Sequence, residues 1–211
     1  VAIVTGDTKV VEQGKGDGVF ITTTGVGVVE EGIDIGGARA RPGDAILLSG
    51  FIGDHGMTIM STRESLAFGA DLCSDTAALH GLVAAMLEPV APAMRADPAR
   101  GIRVLRDPTR GGLATTLNEI AGQSGVGMLI EEAAIPVRPQ VEAACEFLGL
   151  DPLYVANEGK LVAIVAPQDA EAVLAAMRAH PLGADAARIG MVTEDPHHFV
   201  QMATRFGGRR V

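Results

Sequence analysis

The stretch Arg106-Asp107-Pro108-Thr109-Arg110-Gly111-Gly112 decides the reading of the fold. It follows an apolar run, Ile102 to Leu105, that reads as a strand. It precedes a segment in which Leu113, Leu117, Ile120 and Ala121 recur at helical spacing. Pro108 fixes one φ, and paired glycines let the backbone approach a neighbour closely. A purely structural turn would need none of the flanking charges, yet Arg106 and Arg110 supply cations and Asp107 an acceptor. A charged, glycine-ended turn between a strand and an amphipathic helix is the arrangement expected of the active site of an α/β enzyme that uses ATP.

Working outward, strands and helices alternate. Ala45 to Leu48, Val126 to Ile130 and Leu161 to Val165 read as buried strands, with Ile189 to Val192 and His198 to Met202 as closing strands. A helix is expected from the glycine loop through Phe68. Ser74-Asp75 is expected to cap the next, whose Leu79, Leu82, Val83, Met86, Leu87 and Val90 fall at helical spacing until Pro89 and Pro92 kink or end it. Val141, Ala144, Cys145 and Leu148 mark a helix closed by Gly149, and Ala170 to Arg178 another. Toward the N-terminus, Val1 to Val4 and Val19 to Val29 are β-branched and read as strands around a hairpin-like turn at residues 14–18. The Gly-rich, polar residues 30–44 are the best candidate for a domain boundary. The expectation is a mixed-sheet α/β domain over residues 36–211, preceded by a strand remnant over residues 1–35.

Composition bounds the rest. The 211 residues are 47% hydrophobic but 3% aromatic, so the core must be aliphatic and Met. The net charge of −9 and the absence of a basic stripe argue against nucleic acid. No apolar run reaches the ~20 residues of a membrane span. Cys73 and Cys145 form no framework, which fits a reduced, cytoplasmic protein. His80, His180, His197 and His198 show no ligand spacing and read as surface or turn residues.

Four strings carry the candidate chemistry. In Gly6-Asp7-Thr8-Lys9, Asp7 could hold Mg2+ or a hydroxyl, and Lys9 could neutralise a phosphate or carry a proton; an exposed turn with a solvated ion pair is the plain alternative. In Ser49-Gly50-Phe51-Ile52-Gly53-Asp54-His55-Gly56, a glycine loop between strand and helix offers backbone N–H groups to an anion, with Asp54 and His55 in the same mouth; Asp54 serving as a helix cap is compatible with this. The turn at Asp107 to Gly112 is the strongest local signal. In Asn157-Glu158-Gly159-Lys160 a carboxylate at a strand start could act as a general base, although on its own an ordinary hairpin explains it as well.

In this order GDTKVV, SGFIGDHG, RDPTRGGLATTLNEIA and DPLYVANEGKL resemble the HypE family of hydrogenase maturation proteins, carbamoyl dehydratases related to aminoimidazole ribonucleotide synthetase and selenophosphate synthetase. The likeness runs over nearly the whole chain and includes Ile135-Pro136-Val137 and Ile189-Gly190. It implies an N-terminal domain that carries most of the ATP and Mg2+ site and a dimer barrel, and a C-terminal α/β domain closing over it. It also implies a tail whose terminal cysteine bears a carboxamide that ATP-dependent dehydration converts to thiocyanate, the source of a cyanide ligand for [NiFe]-hydrogenase iron. HypF would donate the carbamoyl group, HypC–HypD would accept the cyanide, and the full-length protein would be a homodimer. By motif, Lys9 and Glu158 would be catalytic. Asp7, Thr8, Gly53, Asp54, His55, Asp107, Thr109, Arg110, Gly111 and Asn157 would shape the ATP and tail site, with Asp7 a candidate Mg2+ ligand. Against that pattern most of the N-terminal domain and the cysteine tail are missing, so the segment is expected to be a fragment, inactive alone and a weak binder of ATP. Two other readings stay open: another ATP-using member of the superfamily, acting on a small phosphate ester or an amide, and a non-catalytic docking module.

Overall fold

The computed structural model describes residues 2–16, 18–64 and 72–211. The chain divides after Glu30 into two units. Among residues 2–16 and 18–30 there is a turn in which Lys15 N–H donates to the Glu12 carbonyl at 3.0 Å, and no helix or strand. The strands expected at Val1 to Val4 and Val19 to Val29 do not form among the described residues. A strand exists by pairing its backbone N–H and C=O groups, and here Ile3, Val4, Val19 and Ile21 stand exposed without a ladder partner. β-branched composition supplies a preference, not a partner.

The second unit, residues 31–211, is built on a seven-stranded sheet of order β2-β4-β1-β5-β3-β6-β7. Its strands are β1 Ala45–Leu48, β2 Ile102–Arg106, β3 Gly127–Glu131, β4 Val162–Val165, β5 Ala187–Thr193, β6 Val200–Ala203 and β7 Arg209–Arg210. All neighbours pair antiparallel except β3 and β6. The helices are α1 Asp54–Glu64, α2 His80–Leu87, α3 Ala91–Ala96, α4 Gly112–Ser124, α5 Pro139–Leu148 and α6 Ala170–Ala179.

The period-2 alternation of the strands divides the core. Ile46, Leu48, Val104, Val162 and Ile164 point to one face, where Leu113, Leu117 and Ile120 of α4 cover them. Ala45, Leu47, Ala163 and Val165 point to the other, under Leu82 and Met86 of α2, Met94 of α3 and Val173, Leu174 and Met177 of α6. β1 is therefore fully buried on both faces, which explains why it reads as a continuous apolar run. A smaller cluster, Met57, Val141, Ala144, Cys145 and Val155, packs α1 against α5.

Of three local expectations, one is tested only in part, one fails and one is refined. The helix expected through Phe68 is described to Glu64, and residues 65–71 lie outside the described residues. Ser74-Asp75 caps no helix: α2 begins at His80 after Leu79, which makes no side-chain cap bond. Pro89 falls between α2 and α3, so the apolar stripe spans two helices, with Pro92 in the first turn of the second. A last short strand, β7, was not expected from sequence.

Candidate active site

The sheet register explains how three strings distant in sequence become neighbours. β4 lies between β1 and β2 and is antiparallel to both. Leu48 pairs with Val162, and so does Arg106. The loop leaving β1, the turn leaving β2 and the loop entering β4 therefore emerge at the same end of three adjacent strands. These are residues 49–53, 107–111 and 157–161.

Asn157 ties them together. Its side chain is 1% exposed. Gly53 N–H donates to its Oδ1 at 2.8 Å, while its Nδ2 donates to the Pro108 carbonyl at 2.9 Å and to the Val155 carbonyl at 3.1 Å. One buried amide on the third loop thus satisfies backbone groups on the other two and at Val155, just ahead of its own. The glycines set the close approaches. Gly53 (φ +86°) admits α1, and Gly112 (φ +64°) presses on residues 153–155, where a Cβ would come within 2.7 Å of the Val155 carbonyl oxygen. Gly111 (φ +74°) stands at the start of α4, where no side chain caps the helix. Ser49 closes the β1–β4 pairing, accepting from Leu161 N–H at 3.0 Å.

The polar groups divide into the fixed and the free. Asp54 is buried and accepts from Arg138 Nε at 3.0 Å, and its Oδ1 has no hydrogen-bond partner among the described residues. Arg138 also lies over the Phe51 ring, 4.2 Å from its centroid, a cation–π contact. Arg106 pairs with Glu119. His55 Nδ1 is 2.8 Å from Ser74 Oγ, which in turn meets Thr76 Oγ1 at 2.7 Å. The far ring nitrogen, Nε2, stands 4.0 Å from Glu158 Oε1. Asp107 and Arg110 are exposed, and Arg110 has no ion-pair partner among the described residues. Thr109 is half-buried, and its carbonyl accepts from Gly112 N–H at 3.3 Å.

Of the residues singled out in the sequence, Gly53, Asp54, His55, Asp107, Thr109, Arg110, Gly111, Asn157 and Glu158 all sit on these loops or on the first turns they lead into. Asp7, Thr8 and Lys9 belong to the N-terminal unit, where Asp7 Oδ1 accepts from Thr8 N–H at 2.8 Å. Sequence reasoning missed three participants. Arg138 carries no motif of its own. Asp75 looked like a helix cap, and Lys160 looked like the end of a hairpin. Each acquires its role from a contact across more than 80 residues. Cys145, read as core, is buried, and burial pushes its thiol up to about 11. Among the described residues no group of three or more His, Cys, Asp or Glu gathers as a metal centre, and no helix is long and apolar enough to cross a membrane.

Fold and site together define a mixed-sheet α/β domain that gathers glycine-bearing, charged loops at one end of its central strands. The chain belongs to the family of AIR synthase related proteins, C-terminal domain, whose model matches residues 41–203. It is similar over all 211 residues to the carbamoyl dehydratase HypE of Cupriavidus necator, at 72% identity, and spans 58% of that protein's length. A solved HypE–HypF complex is similar at 44% identity and a TM-score of 0.78, over 86% of this chain and 56% of that one. A solved hydrogenase maturation protein HypE in complex with ATP is similar at 52% identity and a TM-score of 0.74, over 83% and 52%.

Proposed function

We propose that this chain supplies one lobe of the active site of an ATP-dependent carbamoyl dehydratase serving hydrogenase maturation. The observation that carries the reading is the Asn157 node, which assembles the loops at 49–56, 107–112 and 157–160 into one mouth. The HypE relatives, and the ATP complex of one similar protein, support the identity of the reaction and its nucleotide.

The chemistry asks little of the protein beyond charge and proton handling. An amide oxygen is a weak nucleophile, so transfer of the terminal phosphoryl group of ATP onto the oxygen of a cysteine S-carboxamide must be balanced by cations. Arg110, exposed at the start of α4, takes that role, and the motif likeness assigns the same kind of role to Lys9. The uncapped helix start adds backbone N–H groups. Phosphoryl transfer releases ADP and the first amide proton, which passes to solvent; the intermediate, S–C(OPO3)=NH, then loses its second N–H proton as phosphate departs and a C≡N bond forms. Glu158 accepts that proton. Asp7 is the residue here that would hold a Mg2+ arriving with ATP. Asp54, His55, Asp107, Thr109 and Gly53 shape the mouth. HypF as carbamoyl donor is supported by the complex of a similar HypE. HypC–HypD as acceptor, a homodimer and a cytoplasmic setting follow from the resemblance. The 211 residues alone are expected to bind ATP weakly and not to turn over.

The test is dehydration by a protein completed to the length of its relatives, followed by mass spectrometry of the carbamoylated cysteine. Conversion to thiocyanate that falls about 100-fold or more in both Lys9→Ala and Glu158→Gln supports the reading. Turnover at the parent rate in both variants would overturn it.

A further inference from the structure

Resting on the placement of Glu158 in the reaction proposed above, we infer that Asp75 is a positioning residue: its carboxylate clamps the backbone at Glu158 and the ammonium of Lys160, and so fixes where the proton-accepting carboxylate stands.

Residues 72–79 carry no helix or strand, yet the Asp75 side chain is 3% exposed while Ser74 and Thr76 on either side stand in solvent. Its Oδ1 accepts from Glu158 N–H at 3.0 Å. Its Oδ2 lies 3.4 Å from Lys160 Nζ and has no hydrogen-bond donor among the described residues, where this ammonium is its ionic partner. The two segments touch through their backbones: a Cβ on Gly159 would overlap the Asp75 carbonyl oxygen and fall 2.9 Å from Ala77 N. The Lys160 stem runs on past Gly50, its Cε 3.6 Å from where a Cβ there would stand. One carboxylate therefore fastens an otherwise irregular strap to the loop entering β4, and through Lys160 that strap reaches the loop leaving β1.

Burying a carboxylate costs free energy that an ordinary surface loop has no reason to spend. No helix is capped in return, since α2 starts five residues later. What is gained is rigidity at residue 158. The Glu158 carboxylate itself has one ionic neighbour among the described residues, His55 Nε2 at 4.0 Å, so its place is set from its backbone. Proton transfer is sensitive to that place, because a displacement of about 1 Å can cost about 100-fold in rate.

The experiment measures kcat and KM for ATP in the protein completed to its relatives' length, with Asp75→Ala, Asp75→Asn and Glu158→Gln side by side. Asp75→Ala removes both contacts and is expected to lower kcat about 100-fold, and Asp75→Asn, which keeps an acceptor for Glu158 N–H but not the charge facing Lys160, about 10-fold, with KM for ATP within about twofold. Should Asp75→Ala fail to fold, the near-isosteric Asp75→Asn decides alone. If both Asp75 variants keep kcat within about twofold of the parent while Glu158→Gln abolishes turnover, or if only KM moves, the positioning role is wrong and the proton role of Glu158 survives. If Glu158→Gln turns over at the parent rate, the reading of Glu158 falls and takes this inference with it.

Discussion

The two ends of the central strands use the same residue types to opposite purpose. At the end where β1 and β2 begin, the buried carboxylates Asp44 and Asp169 are both closed by arginines. Arg103 Nε donates to the Asp44 carboxylate at 2.9 Å, both side chains almost wholly buried, and Arg103 Nη2 donates to the Ala99 carbonyl at 2.8 Å. Arg100 grips Asp169 through two bonds of 2.9 and 2.6 Å, and Gly101 N–H completes the set at 2.6 Å. At the end where β1 and β2 finish, Arg110 and Glu158 face solvent, and two buried oxygens, Asp54 Oδ1 and Asp75 Oδ2, have no hydrogen-bond donor among the described residues. A charge network that satisfies itself stabilises a fold. One that leaves Arg110 without an ion pair among the described residues, and the Glu158 carboxylate exposed beside glycine loops, is arranged for something that binds.

That contrast can be broken experimentally. The largest effect is expected at the closed end: Arg103→Ala strands the buried Asp44 carboxylate and should destabilise residues 1–211 by about 3–5 kcal/mol in denaturant titrations. A loss under about 1 kcal/mol would mean that the pair is not what holds this end together. Asn157→Ala comes next. It orphans Gly53 N–H and the Pro108 carbonyl, and a loss of about 1–3 kcal/mol is expected by thermal unfolding. The same variant in the completed protein should also weaken ATP binding in calorimetry, because the loops part; unchanged affinity would uncouple the node from the site.

The third prediction concerns pH. The Arg100 guanidinium, and after it the Gly101 N–H, hold the Asp169 carboxyl below its ordinary value against the opposing effect of burial. A depressed folded value stabilises the fold above the unfolded value of about 3.9, and that contribution disappears as pH falls through the lower folded value. Burial pushes Asp44 the other way, up from its ordinary value, so protonating it in acid favours the folded form. Subtracting the stability profile of Asp169→Asn from that of the parent, from neutral pH to about pH 3, isolates the first effect. A difference that stays flat with pH would show that Asp169 stabilises by packing alone. The smallest effect belongs to the open end: Arg110→Ala should change stability by less than about 0.5 kcal/mol while raising KM for ATP in the completed protein. A larger stability loss would make Arg110 a structural residue like Arg103.

Much of the fold was legible because its signals are local. The apolar run at 45–48, the turn at 106–112 and the stripe Leu113, Leu117, Ile120 each announce an element within a dozen residues. What failed was non-local. Val19 to Val29 has strand composition but no ladder, because a ladder needs a second chain segment that composition cannot name. Ser74-Asp75 has the look of a cap, but its carboxylate is claimed by residues 158 and 160 across the fold. In the same way Asn157 was singled out by its string, while the three bonds that make it the node could not be read from that string.

The sequence by itself determined the α/β class, most element positions and the short strings that bear the charged and glycine residues, since propensity, periodicity and turn chemistry act between near neighbours. The tertiary structure alone decided that β4 runs between β1 and β2 in the opposite sense, and hence that three strings spread over more than a hundred residues open at one end of the sheet. It also decided which charges are consumed in the fold and which are left free. Strand order and register come from the total burial of both sheet faces, a balance over the whole chain that no single stretch contains.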